Sequence, residues 1–158
     1  LQSYKYLLEN CFPALRKTDC SIVYEIRDFT ISECKELLKT QPNLLSLNEL
    51  YRLAETYKEG DSDFDDLFDL AVRMFPDDQV ANLNAANVAL KNGQLQKADK
   101  YLGKADQNTA EYWNAKGVYH ALRKDLVEAK ECFAKAAKES LKVGANNLES
   151  IENIIENQ

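Results

Sequence analysis

The stretch from Glu111 to Ala136 constrains this chain most. Trp113, Gly117 and His120 lie three and four residues apart, so on a helix they share one stripe. Ala129, Phe133 and Ala136 repeat that spacing on a second helix, in the order small, large, small. Gly117 has no side chain, so the second helix is expected to come close there, with the ring of Phe133 filling the space. A helix pair built this way cannot bury its apolar faces alone and needs stacked neighbours. Such a stack offers a surface to another chain rather than a catalytic pocket.

The pattern recurs upstream. Ala86 holds the small position of Gly117, and Ala98, Leu102 and Ala105 repeat the second stripe. Gly93 falls at the turn between the two helices, where a left-handed residue ends a helix cheaply. Earlier still come Leu50, Leu53, Ala54 and Tyr57, then Phe64, Phe68, Ala71 and Pro76. The small residues Ala54, Ala86 and Gly117 recur every 31–32 residues. Over residues 46–140 these spacings resemble the tetratricopeptide (TPR) repeat family, whose unit is about 34 residues long. Phe75-Pro76-Asp77-Asp78 looks like the proline-marked boundary between units, and the first two copies lack the Trp.

The resemblance implies an all-α fold, a TPR-like right-handed solenoid of helical hairpins with about three pairs and a capping helix. It also implies a groove lined by the first helix of each pair. That places Asn48, Tyr51 and Glu55, then Leu83, Asn87 and Leu90, then Asn114, Val118 and Ala121 toward a protein or peptide partner. Asparagine can both donate to and accept from a peptide backbone. TPR grooves that clamp a C-terminal carboxylate use Lys and Arg at such places. Here they are almost absent, which disfavours that subclass.

Helix starts are signposted by capping boxes at Thr30-x-x-Glu33 and Ser46-x-x-Glu49, with a weaker version at Asp125-x-x-Glu128. Helices are expected near 31–40, 46–58, 62–74, 79–91, 94–105, 109–122, 125–142 and 146–156. The last one, with Leu148, Ile151, Ile154 and Ile155 on one side, suits a cap on the open end of the stack.

Residues 1–29 read differently, as a tail or linker ahead of a helical domain over 30–158. A short helix-like Tyr4-Lys5-Tyr6-Leu7-Leu8 precedes Pro13, and Ile22, Tyr24 and Ile26 then alternate as in a β-strand over 20–28. One strand cannot satisfy its own backbone groups. It is expected either to stay mobile or to add onto a second copy as a homodimer, and the second is favoured. Phe12-Pro13-Ala14-Leu15-Arg16-Lys17 and Tyr24-Glu25-Ile26-Arg27-Asp28-Phe29 look like the closing strand of an OmpA-like domain. With Leu45-Ser46-Leu47 and Ala71–Asp77, they resemble the C-terminal part of cell-envelope proteins of Bacteroidetes-type bacteria. That resemblance implies an OmpA-like segment upstream and a place on the periplasmic side of the outer membrane. Most of any such domain is missing from this chain, so peptidoglycan binding does not carry over.

Composition narrows the function. A net charge of −6 argues against nucleic acid, which wants a basic face. No run approaches the roughly 18 apolar residues of a membrane span. Cys11, Cys20, Cys34 and Cys132 lack C-x2-C spacing, and with one His in the chain a zinc site is poorly supplied. They read as small buried hydrophobes; a Cys11–Cys20 disulfide would need an oxidising compartment. Residues 59–72 begin like a calcium loop, but Asp66 and Val72 stand where Gly and Glu are needed. His120 takes the ring position of the helix stripe, and no hydrolase, zinc-protease or phosphate-loop motif occurs. The expectation is a non-catalytic protein-interaction or assembly module of a larger envelope protein, with no cofactor and no metal. A structural spacer between envelope modules is the alternative, and an enzyme with an unrecognised site stands third.

Overall fold

A computed structural model of the chain describes residues 2–15, 20–23, 27–58, 61–139 and 141–157. The described residues form α1 (Gln2–Tyr6), a π-helical turn (Leu7–Cys11) and α2 (Phe12–Leu15), then α3 (Ile31–Thr40), α4 (Leu47–Ala54) and α5 (Ser62–Met74). There follow α6 (Gln79–Lys91), α7 (Leu95–Leu102), α8 (Ala110–Leu122), α9 (Leu126–Lys138) and α10 (Lys142–Glu156). The arrangement is all-helical.

Polar side chains fix where the helices begin. Thr30 and Ser46 each accept from the backbone N–H three residues on, and Glu33 and Glu49 reach back to close both capping boxes. Asp78 caps α6 through Ala81 N at 2.8 Å, and Thr109 caps α8 through Tyr112 N at 3.2 Å. Asp125 behaves otherwise: its carboxylate makes no cap and instead meets Arg123 Nε at 3.2 Å.

Helix ends depart from expectation in three places. The helix expected over 46–58 stops at Ala54, because the Thr56 hydroxyl and amide both bond the Leu53 carbonyl. That expected over 94–105 stops at Leu102, with Gly103 at its end. In the third, α9 stops at Lys138 and α10 already starts at Lys142, ahead of the expected start at 146, so Gly144 lies inside α10. There it works as a contact residue. A Cβ on Gly144 would lie 2.7 Å from Ala136 Cβ on α9.

Each helix from α3 to α10 packs on its neighbours in the chain, and α8 also touches both α6 and α10. Two turns are copies of each other. In the α6–α7 turn, Gln94 N reaches back to Ala89 O (2.8 Å), with Gly93 at φ +69°. In the α8–α9 turn, 31 residues later, Asp125 N reaches back to His120 O (3.0 Å), with Lys124 at φ +68°. The helices these turns join are packed to matching depth. A Cβ on Gly117 would sit 2.5 Å from two ring carbons of Phe133. In the preceding copy Ala86 and Leu102 are both fully enclosed in one cluster with Ala98, Ala105 and Tyr112. Asn82 stands 31 residues before Trp113 and is also fully buried. Its Nδ2 donates to Pro76 O and Asp78 O, tying down the loop that leads into α6.

The N-terminal side of the body has its own cluster, built from Cys34, Leu45, Leu50, Leu53, Leu67 and Ala71 with Phe29 against it. Glu49 is buried there. Its Oε1 accepts from Phe29 N at 2.9 Å, and its Oε2 accepts from Ser46 N and Ser46 Oγ. Residues 27–29 are thus tied to α3 and α4, a tie strengthened by the Arg27–Glu33 pair at 2.6 Å.

The β-strand expected in the tail does not appear among the described residues, and residues 20–23 and 27–28 carry no regular structure. Residues 24–26 of the expected strand lie outside the described residues. Among the described residues no strand neighbours 20–23 to take up their hydrogen bonds, and Ile22 and Val23 stand exposed. Cys34 and Cys132 are buried, Cys11 half-buried and Cys20 exposed, none paired with another. Burial pushes the thiols of Cys34 and Cys132 above their ordinary range.

Candidate interaction groove

Helices α4, α5 and α6 frame a shallow depression. One part, about 310 Å³, is lined by Tyr51, Ala54 and Glu55 together with Phe64, Phe68 and Asn84. The adjoining part, about 170 Å³, shares Phe64, Phe68 and Asn84 and continues along Asn87, Val88 and Lys91. Its floor is aromatic. The rings of Phe64 and Phe68 lie 4.9 Å apart, and Tyr51 lies 6.1 Å from Phe68. All three rings are half-buried, and Phe64 and Phe68 pack against the cluster around Leu50, Leu53 and Leu67.

Polar groups stand on this floor at helical spacing. Asn84 and Asn87 lie three residues apart on α6. The Tyr51 hydroxyl is enclosed and makes no hydrogen bond of good geometry. Burial raises its pKa, and Asn84 opposes that rise only in part. At the α6 end, Asn92 Nδ2 donates to Asp65 Oδ2 at 2.6 Å, and Lys97 pairs with Asp69. These ties hold α5 against the α6–α7 pair, so the depression has a fixed floor.

The residues expected in the groove divide. Tyr51, Glu55 and Asn87 line the depression together. Asn48 is exposed on the first turn of α4 and does not line it. Leu83 is half-buried against the central core, and Leu90, 4% exposed, belongs to that core and offers no surface. Asn114 accepts from Asn147 Nδ2 at 2.9 Å, so its amide joins α8 to α10. Val118 and Ala121 pack against the cluster around Ala129, Phe133 and Ile151. Phe64, Phe68 and Asn84 were missed. The two rings read as part of the core stripe, and the i, i+3 pairing of Asn84 with Asn87 was the signal available in the sequence.

Elsewhere the chemistry is structural. His120 stacks edge-on against Tyr119, ring centroids 5.4 Å apart, with Nδ1 3.5 Å from Asp125 Oδ2. Asp61, Asp63 and Asp65 sit at the start of α5, where negative charge suits a helix N-terminus; residues 59–60 of the calcium-like segment lie outside the described residues. Among the described residues no group of three or more His, Cys, Asp or Glu side chains is placed to hold a metal ion. No described helix is long and apolar enough to cross a membrane. No family model matches the chain, and no curated protein matches it.

Proposed function

We propose that this chain is a non-catalytic, TPR-like protein-interaction module that takes a peptide segment of its partner in the α4–α6 depression. The observation that carries the reading is the depression itself: an open aromatic floor of Tyr51, Phe64 and Phe68 flanked by Asn84 and Asn87. Aromatic faces supply contact area, and amides read a peptide backbone. An enzyme would need a nucleophile or acid–base pair converging on a deep pocket.

In this reading α4–α5, α6–α7 and α8–α9 are three stacked pairs of a right-handed solenoid and α10 is the cap. The 31-residue recurrence of the turn geometry supports it, as do the contacts of α8 with both α6 and α10. The periplasmic envelope setting rests on the resemblance of the N-terminal strings and is tested by cell fractionation.

The binding test pairs Asn84→Ala with Asn87→Ala and compares capture of partners from an envelope extract by parent and variant. Loss of a specific partner with an unchanged circular dichroism spectrum is expected. Equal recovery of every partner would sink the groove reading and favour a spacer between envelope modules.

A further inference from the structure

Residues 27–29 are held by three successive ties, each to a different side chain. Arg27 donates to Glu33 on α3 through Nη2 at 2.6 Å and Nη1 at 2.9 Å. Asp28 meets Arg52 on α4 at 3.6 Å. The Phe29 amide donates to Glu49 Oε1 on α4 at 2.9 Å. Glu33 and Glu49 are also the capping-box carboxylates of α3 and α4, so the groups that start these helices grip the stretch ahead of them. The ties are unequal. Arg27 and Asp28 are exposed, and exposed ion pairs hold weakly. Glu49 is buried, and a hydrogen bond in that low-dielectric setting is the stronger one. Beneath the stretch lies Cys34, 1% exposed, whose Sγ donates to Phe29 O at 3.9 Å.

We propose that residues 27–29 are a strap that opens as a unit from an intact helical body, with Glu49 as its latch. Native proteins open in cooperative pieces, at free energies below that of global unfolding. The strap is such a piece because one buried bond and one half-buried ring, that of Phe29, carry most of its hold. Opening hinges at Thr30, whose own cap on α3 stays closed through Glu33 N and Thr30 Oγ1. It uncovers the Cys34 thiol. Closed, the strap fixes where the chain ahead of it leaves the body; open, it releases that point. The inference stands apart from the α4–α6 depression and its partner.

The test is labelling of the full chain with iodoacetamide, the rate at each cysteine being read from peptide masses. Static burial puts Cys132, 7% exposed, ahead of Cys34. The strap reverses that order. Cys34 should react faster than Cys132, by about tenfold or more, and at a rate flat in low urea, since a small opening exposes little surface. Glu49→Gln should speed Cys34 by about tenfold. Gly117→Ala, which weakens the α8–α9 contact elsewhere in the body, should leave the Cys34 rate within about twofold of the parent. A Cys34 no faster than Cys132 overturns the proposal. So does a Cys34 rate that climbs with urea, or one that Gly117→Ala raises as much as Glu49→Gln does, because the thiol is then reached only by global unfolding. A Cys34 rate indifferent to Glu49→Gln removes the latch and overturns it as well.

Discussion

Gly117 and Phe133 are one packing unit, and Ala86 and Leu102, 31 residues earlier, share one buried cluster. The two positions divide their residue volume differently: Gly with Phe in one, Ala with Leu in the other. Gly117→Ala would gain about 0.8–1 kcal/mol of helix propensity. It loses more than that, because the new Cβ falls 2.5 Å from ring carbons of a side chain only 4% exposed. The net expectation is a loss of about 1–3 kcal/mol, and a larger loss for Gly117→Leu. Phe133→Ala should cost about 3–5 kcal/mol by opening a cavity. Combining Gly117→Ala with Phe133→Leu recreates the Ala86–Leu102 unit, so denaturant melts should show the double variant at least about 1 kcal/mol more stable than additivity allows. Additive losses would mean the two residues are not in contact. Lys124 makes a second test. It holds a left-handed φ of +68° where the matching turn has Gly93 at +69°. A side chain there costs about 1–2 kcal/mol, part of which glycine gives back as unfolded-state entropy. Lys124→Gly should therefore stabilise by about 0.5–1 kcal/mol, and a lower melting temperature would refute the strain.

At the scale of elements, caps decide how the N-terminal side of the body is held, and Glu49 is the cap with most to lose. Burial by itself would raise its pKa. The hydrogen bonds from Ser46 N, Phe29 N and the Ser46 hydroxyl outweigh that, so the carboxyl is held below the ordinary range. Its stabilising contribution is therefore complete above about pH 4.3, the unfolded value, and is lost as pH falls toward the folded one. Glu49→Gln leaves buried donors poorly matched and should cost about 1–3 kcal/mol at neutral pH. The gap between parent and variant should narrow as pH drops below about 4 in acid melts. A gap that stays constant with pH would assign the loss to packing instead. The sequence made this cap legible, along with Thr30–Glu33, because a capping box is a local device. It misjudged Asp125, which fits the same spacing but whose carboxylate is claimed by Arg123 and lies beside His120. It placed the start of the last helix at 146, whereas Gly144 lies inside that helix and lets Ala136 approach. The groove was half legible. Tyr51, Glu55 and Asn87 lie on first helices of the expected pairs. Phe64 and Phe68 lie on a second helix, and one-dimensional spacing does not tell a half-exposed ring from a buried one.

At the scale of the whole molecule, the open question is where the helical body begins. The strand-like alternation of residues 20–28 put the boundary after residue 29. The contacts favour an earlier one. Phe29 packs against the cluster of Cys34, Leu50 and Leu53, and its amide is held by Glu49. Arg27 pairs with Glu33 at 2.6 Å, and Asp28 with Arg52 at 3.6 Å. Upstream, described residues 2–10 and 20–23 are all exposed. Deleting residues 1–26 should then leave the melting temperature of the body nearly unchanged, since exposed segments contribute little to stability. Deleting residues 1–29 removes an aromatic ring and the Phe29 N–H that Glu49 Oε1 accepts, and should cost about 2–4 kcal/mol. Equal melting temperatures for the two truncations would put Phe29 outside the core and restore the boundary at residue 29. A fall already present in the shorter deletion would mean that residues before 27 pack on the body.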